Sequence, residues 1–227
     1  DFEFHKFFSE LHNFCSSDLS AFYFDIRKDT LYCEQSDSIY RRSTRTVLDQ
    51  LFSCLTAWLA PFMCFTAEEA WLSRFPSVDG SVHFRLFPDI PAEWCDVALS
   101  TKWTKIRELR RVVTGALEIE RAEKRIGSSL YAHPVVYAES RHLEAMDGLD
   151  PAEIFITSDA TLKSEPIPEG AFTIEDVDDV GVVVNVAEGE RCVRCYKVSS
   201  EVGTIKNHET VCGRCADAAE NFGTVPD

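Results

Sequence analysis

The sequence predicts a mainly α protein: a helical bundle, then a small α+β junction, then a small finger held by cysteines. Three observations predict it. Apolar residues recur at helical spacing through the first 128 residues, short β-branched runs replace them after Gly127-Ser128-Ser129, and two C-x-x-C pairs stand near the end of the chain. The boundaries expected are 1–128 for the bundle, 129–189 for the junction, 190–216 for the finger and 217–227 for a tail. With 227 residues, 45% of them hydrophobic, the chain can bury one large core and one or two small ones. It opens on Asp1 and runs at once into an amphipathic stretch, which reads as the inside of a longer protein.

The first helix is expected from about Phe2 to Phe14, with Ser16-Ser17-Asp18 breaking it and capping a second helix through about Leu31. A third runs from about Asp37 to Ala60, stopped by Pro61, and Thr66 with Glu69 offers a T-x-x-E capping box for a short fourth helix through Leu72. Prolines 76, 88 and 91 with Gly80 make the next stretch a loop, with one extended segment at Val82–Phe87. A long helix begins near Thr101, and its Ile106, Leu109, Val113 and Leu117 form one core stripe. At 100° per residue, Arg107, Arg111 and Arg125 fall within about 40° of one another on the opposite, basic face. Beyond Gly127, Leu130–Ala138 and Glu153–Ser158 read as strands, His142–Gly148 as a short helix, and Val180–Val186 as a buried strand.

Charge and cysteine usage narrow the class. The net charge is −15, but residues 101–131 carry +4 and 191–215 carry +3, against −12 over 132–190. Two basic islands in an acidic chain suit a protein that meets a polyanion at chosen places. No secretory leader is visible, and the longest apolar run, Leu51 to Phe65, contains Pro61 and is too short for the ~20 residues of a membrane span. Nine cysteines, four of them at metal spacing, fit a reducing cytoplasm better than a disulfide framework. Cys15, Cys33, Cys54, Cys64 and Cys95 read as small core hydrophobes. The acidic loop residues Glu175, Asp176, Asp178 and Asp179 lack the spacing of a calcium loop and read as solvated surface.

From Cys192 the sequence reads CVRC, sixteen residues, CGRC. Each C-x-x-C sets two thiolates on one tight turn, and two such turns complete the tetrahedral sulfur shell that Zn²⁺ prefers. Cys192, Cys195, Cys212 and Cys215 are therefore the expected ligands of one zinc, structural because four cysteines leave no position for water or substrate. The intervening residues suit a β-hairpin, making the finger a zinc-ribbon type, with His208 at its tip and, as the alternative, a substitute ligand. Arg194, Lys197, Lys206 and Arg214 cluster around the turns, with Tyr196 directly after the second cysteine. Cations neutralise phosphates and an aromatic ring stacks an unpaired base, so the finger is expected to read single-stranded RNA; the plainer alternative is that the basic residues only keep a small module soluble.

Particular segments carry a family resemblance. DLSAFYFDIRKDTLY (Asp18–Tyr32), WLAPFMCFTAEEAW (Trp58–Trp71), SVHFRLFP (Ser81–Pro88) and KRIGSSLYA (Lys124–Ala132) resemble the anticodon-binding domain of bacterial-type class I isoleucyl-tRNA synthetases. CVRCYK and CGRC resemble the zinc finger shared by those enzymes and formamidopyrimidine-DNA glycosylases. Residues 141–189 join the resemblance by position only. It implies that bundle and finger grip the anticodon stem-loop of isoleucine tRNA. Contacts are then expected from Arg107, Arg111, Arg125, Arg194, Tyr196, Lys197, Lys206 and Arg214. Tyr196 stands where many relatives carry Trp.

The HIGH and KMSKS signatures of the family do not occur in these residues, so the resemblance places adenylation, editing, ATP and Mg²⁺ in a catalytic domain of the same polypeptide, before Asp1. The segment alone is expected to be inactive, monomeric and cytoplasmic. Two other readings stand beside it. A DNA-repair module needs an N-terminal Pro-Glu pair and a basic groove, where this chain has Asp-Phe-Glu and −15. A structural module would use the zinc finger to clamp onto the catalytic body.

Overall fold

The computed structural model describes residues 3–221. Two compact units divide them: the chain up to Ser36 together with everything from Val97 onward, and Asp37–Asp96 between. This division does not follow the boundaries expected at 128 and 189. The reason is packing: the long helix expected to complete the bundle lies instead on the sheet of the junction.

In the larger unit, α1 (Phe4–Asn13), a π-helical segment (Phe14–Phe24) and α2 (Asp25–Cys33) follow one another without interruption. The break expected at Ser16-Ser17-Asp18 does not form. Ser16 donates its hydroxyl to the His12 carbonyl at 2.9 Å, bonding back onto the helix instead of capping a new one. The start expected at Phe2 lies outside the described residues. Helix α2 brings Ile26 into the main core, and Phe22 meets Trp103 edge-on at 5.9 Å.

The smaller unit holds α3 (Ile39–Leu59) and α4 (Cys64–Arg74), then two single 3₁₀ turns at Val82–Phe84 and Ala92–Trp94. Thr66 is not a cap; it is already inside α4, which starts after Met63 without a side-chain cap. The extended segment expected at Val82–Phe87 is a 3₁₀ turn because the Glu68 carboxylate gathers it, accepting from the Ser81 hydroxyl at 3.0 Å and the Val82 amide at 2.8 Å. Cys64 is exposed here, as is Cys95, so neither is a core residue; Cys54 is buried.

Helix α5 (Val97–Ala122) returns to the larger unit and buries the expected stripe completely: Ile106, Leu109 and Val113 have 0% exposure. It ends earlier than the basic-face reading needs. Lys124 turns left-handed (φ 61°) and the Arg125 amide closes onto the Glu120 carbonyl at 2.9 Å, so Arg125 stands beyond the helix and off that face. Four strands then form one sheet in the order β2-β1-β4-β3, with β1 (Ala132–Ala138), β2 (Thr161–Lys163), β3 (Phe172–Ile174) and β4 (Val177–Val186). β1 pairs parallel with β2 and antiparallel with β4, with Val136 opposite Val182. Gly115 lets α5 approach β3 closely, since a Cβ there would meet the Phe172 ring at 2.8 Å.

Between β1 and β2 lie α6 (Ser140–Leu143) and α7 (Pro151–Phe155). The strand expected at Glu153–Ser158 does not form: Glu153–Phe155 close α7 and residues 156–158 turn away from it. Asp150 caps it by accepting from the Ala152 amide at 2.9 Å, Pro151 fills the first position, and Ile156 ends it in the left-handed region. The last segment adds β5 (Glu190–Arg191), β6 (Val198–Ser199) and α8 (Gly213–Glu220). Among the described residues, none forms a helix long and apolar enough to cross a membrane.

Candidate functional site

The site is the cysteine module at residues 190–220. β5 and β6 pair antiparallel, with Arg191 opposite Val198, so the hairpin turn is the first C-x-x-C itself. The Cys192 amide donates to the Lys197 carbonyl and the Tyr196 amide to the Cys192 carbonyl, both at 2.9 Å. Tyr196 closes this knuckle at φ 66°, a region that bulky side chains rarely occupy. Gly189, at φ 118°, has no substitute, because a Cβ would sit 2.4 Å from the Ser199 backbone. The expected sixteen-residue hairpin does not form. Residues 200–211 are a succession of turns, and the second pair opens α8, with Cys212 at its N-cap.

All four sulfurs lie within 4.8 Å of one another, and all four cysteines are buried. The Cys195 and Cys212 sulfurs stand 3.8 Å apart. A tetrahedral ion with metal–sulfur bonds of about 2.3 Å has ligand edges of about 3.8 Å, so the donor set fits such an ion. As neutral thiols, Cys195, Cys212 and Cys215 resist ionisation. Hydrogen bonding to Cys215 and burial push the Cys195 thiol up to about 12. At Cys215 the hydrogen bond with Cys195 lowers the value, but Cys33 and burial outweigh it and also bring it to about 12. Buried thiolates at this density need a cation among them. The four cysteines can hold a metal ion, and His208 is not among its donors, since it pairs with Glu220 at 3.1 Å.

Around this centre the structure separates the residues expected to meet RNA. Arg194 donates to the backbone carbonyls of Cys33 at 2.5 Å and Tyr32 at 3.1 Å, at the C-terminal end of α2, and reaches the Cys215 sulfur at 3.6 Å. Arg214 forks onto Asp29 at 2.5 and 2.9 Å and also bonds Glu34 at 3.0 Å. Burial pushes the Asp29 carboxyl up, but the Arg214 guanidinium outweighs it and holds that group below the usual carboxylate range. Both arginines thus clamp the module to α2. Cys33 completes the contact, buried in one cluster with the four candidate ligands, its thiol 3.9 Å from the Arg194 carbonyl.

The remaining positions face outward. Tyr196 is half exposed, with Arg191 over its ring at 4.5 Å. Lys197 borders an adjoining cavity, and Lys206 is exposed among the turns. Distant from them in sequence, Arg107 pairs with Asp18 at 2.5 Å and covers the Phe22 ring at 4.5 Å, while Arg111 lies 3.9 Å from Asp176. Arg125 binds Glu120 and Glu123. The structure thus does not gather Arg107, Arg111 and Arg125 into one basic face free of carboxylates. The sequence reading missed Asp29, Cys33 and Arg191. Asp25, Asp29 and Cys33 share an i, i+4, i+8 stripe visible in the sequence, but nothing local identifies what it faces.

Fold and site together define a class: a helix-rich support to which a small four-cysteine knuckle, able to hold a metal ion, is clamped. The family described as the anticodon-binding domain of tRNA ligase matches residues 1–136, well over half of the chain, and the chain belongs to that family. It is 50% identical over 225 residues to an isoleucine–tRNA ligase of Agrobacterium fabrum, covering 99% of this chain and 23% of that protein. Isoleucine–tRNA ligases of Brucella abortus (49% over 218 residues) and Bartonella henselae (46% over 219 residues) are similar over 96% of this chain and 22% of their own length. The chain thus spans less than a quarter of these relatives.

Proposed function

We propose that this chain is the anticodon-recognising part of a class I isoleucine–tRNA ligase, a cytoplasmic, monomeric enzyme that joins isoleucine to its tRNA using ATP. The similarity of nearly the whole chain to isoleucine–tRNA ligases carries the reading. The catalytic and editing work, with ATP and Mg²⁺, belongs to the rest of the polypeptide, so the segment alone forms no aminoacyl-tRNA. The ion at Cys192, Cys195, Cys212 and Cys215 is one structural Zn²⁺, because the all-thiolate set leaves no open position.

The division of labour among the cations follows from their partners. Arg194 and Arg214 serve chiefly to hold the module in place. Tyr196, Lys197 and Lys206 then present to RNA, with Arg107 and Arg111 exchanging the exposed carboxylates of Asp18 and Asp176 for phosphates at small cost, and Arg125 doing so at the further cost of leaving the largely covered Glu120. The test is binding of isoleucine tRNA, an unrelated tRNA and duplex DNA across a salt series. The expected result is preference for isoleucine tRNA with a steep salt dependence. Equal affinity for all three would refute the recognition role.

A second reading has its own observation. The clamp of Arg194 and Arg214 on α2 is what a purely structural metal module would show. On that reading Lys206→Glu and Tyr196→Ala leave tRNA affinity unchanged.

A further inference from the structure

Five cysteines meet at the module, one more than a tetrahedral ion needs. Cys33, the last residue of α2, is buried in one cluster with Cys192, Cys195, Cys212 and Cys215. We propose that Cys33 is a site of oxidative modification: a hydroperoxide oxidises its thiol, which then forms a disulfide with Cys215 and expels the metal. This rests on the zinc reading above and adds a control to it.

Placement comes first. Cys33 shares a hydrogen bond with the Cys215 thiol. One nitrogen of the Arg194 guanidinium also touches both residues, at 2.5 Å from the Cys33 carbonyl and 3.6 Å from the Cys215 sulfur. The pair is thus held together through side chain and backbone alike. Cys15, Cys54, Cys64 and Cys95 lie outside this cluster. A cysteine that only fills space in a core needs no second sulfur beside it.

Access is the second observation. A cavity of about 430 Å³ opens beside the module, and the two sulfur-bearing residues in its lining are Cys33 and Cys195. That is ample for a small peroxide, since a water molecule takes about 30 Å³ in the liquid. Cys192 and Cys215 have 0% exposure, so an oxidant approaches the cluster through a sulfur at the cavity. Cys195 belongs to the donor set that an ion would occupy, and Cys33 does not. Cys33 is therefore the cavity-lining sulfur that the metal leaves uncovered.

The step balances. The Cys33 sulfur takes the terminal oxygen of the hydroperoxide, the O–O bond breaks, and the thiol proton leaves with the departing oxygen as an alcohol or as water. Cys215, a thiolate while it holds the ion, attacks the new sulfenic sulfur. The S–S bond forms, the S–O bond breaks, and the hydroxide takes a proton from solvent. Each sulfur gives up one electron and the peroxide gains two. Zinc is left with three sulfurs, and its closed shell opens to water and competing thiols. The new bond ties α8 to α2 covalently, so the emptied module stays beside its support until a thiol reductant restores both cysteines.

The test uses the full-length zinc-loaded protein carrying Cys64→Ser and Cys95→Ser, which remove two exposed thiols. Hydrogen peroxide is added in steps, zinc release is read with a chromogenic chelator against a Cys192→Ser blank, and disulfides are mapped by mass spectrometry. Zinc release should rise in proportion to a Cys33–Cys215 disulfide, and a thiol reductant with added zinc should reverse both. Cys33→Ser keeps the size and hydrogen bonding of the side chain, with Cys33→Ala as a second variant, and zinc content is checked in each before oxidation. Both should hold their zinc at the peroxide dose that empties the protein with Cys33 intact.

If zinc leaves with a Cys195–Cys212 disulfide instead, whose sulfurs stand 3.8 Å apart, or leaves the Cys33 variants equally fast, the modification site is overturned and the zinc reading stands. A full-length protein with no more zinc than the Cys192→Ser blank overturns the zinc reading and this site with it. The mapping is done with Cys33 in place, so a Cys33 variant that cannot hold zinc leaves the test intact.

Discussion

Replacing Arg214 by Ala tests the clamp directly. The change removes a two-pronged bond to Asp29 and a third bond to Glu34, and it leaves two carboxylates facing each other without their cation. The side chains of Arg214, Asp29 and Glu34 retain 35%, 23% and 22% of their exposure, so the pair is neither a surface bridge nor a dry one. Surface pairs contribute up to about 1 kcal/mol, and breaking a buried pair costs about 3–5 kcal/mol. Discounting for solvent access, the expected loss is about 2 kcal/mol, a fall in Tm of roughly 4–8 °C for a cooperative unit of this size.

The assay is thermal unfolding of the zinc-loaded protein, with hydrogen exchange read at the end of α2. The pH dependence supplies the sharper constraint. Asp29 titrates below its ordinary value in the folded protein, so its contribution is complete above about pH 4 and is lost only as pH falls further, through the lowered native value. The stability gap between the unaltered protein and the Arg214→Ala variant should therefore stay constant from pH 8 to pH 5. An unchanged Tm at pH 7, or a gap that closes within that window, would refute the assignment of the clamp to Asp29. Arg214→Lys should recover only part of the loss, because an ammonium cannot fork onto one carboxylate.

Three further outcomes follow from the geometry. Metal analysis should find one zinc per chain and essentially none after Cys192→Ser, and zinc addition in weak buffer should release protons, since Cys195 and Cys215 otherwise ionise only at about 12; binding without proton release would contradict a thiolate site. Gly189→Ala should destabilise the module by more than about 1 kcal/mol, because it must give up both φ 118° and the close passage of Ser199, and a neutral melt would show that the turn adapts. Asp150→Ala should cost about 1 kcal/mol through the lost cap of α7, measured by denaturant unfolding, with Asp150→Asn near neutral.

What the sequence made legible was local. The four cysteines that the structure gathers could be picked out because C-x-x-C fixes two sulfurs on one turn whatever the rest of the chain does, and the α5 stripe because its period spans several turns. The errors also have local causes. Ser16-Ser17-Asp18 has the chemistry of a cap, yet the same hydroxyl can bond backward along a continuous helix, and only tertiary packing decides. Glu153–Ser158 has the composition of a strand, but the Asp150-Pro151 start outweighs it. β2 and β3, three residues each, are too short to carry a period.

The role of the arginines was not legible at all, and the reason is distance along the chain. Arg194 meets the end of α2 across 161 residues and Arg214 meets Asp29 across 185. A basic residue beside a metal knuckle has the same local appearance whether it awaits a phosphate or already holds a carboxylate. Here the second case changes what the metal does. The module has few apolar side chains of its own, Val198, Val202 and Val211 among them, so metal binding supplies much of its folding energy. Arg194 and Arg214 occupy their clamping positions only while it is folded. A metal ion held by the four cysteines would therefore order the C-terminal end of α2 as well. Tyr32 on α2 and Tyr196 on the knuckle line one cavity across that contact.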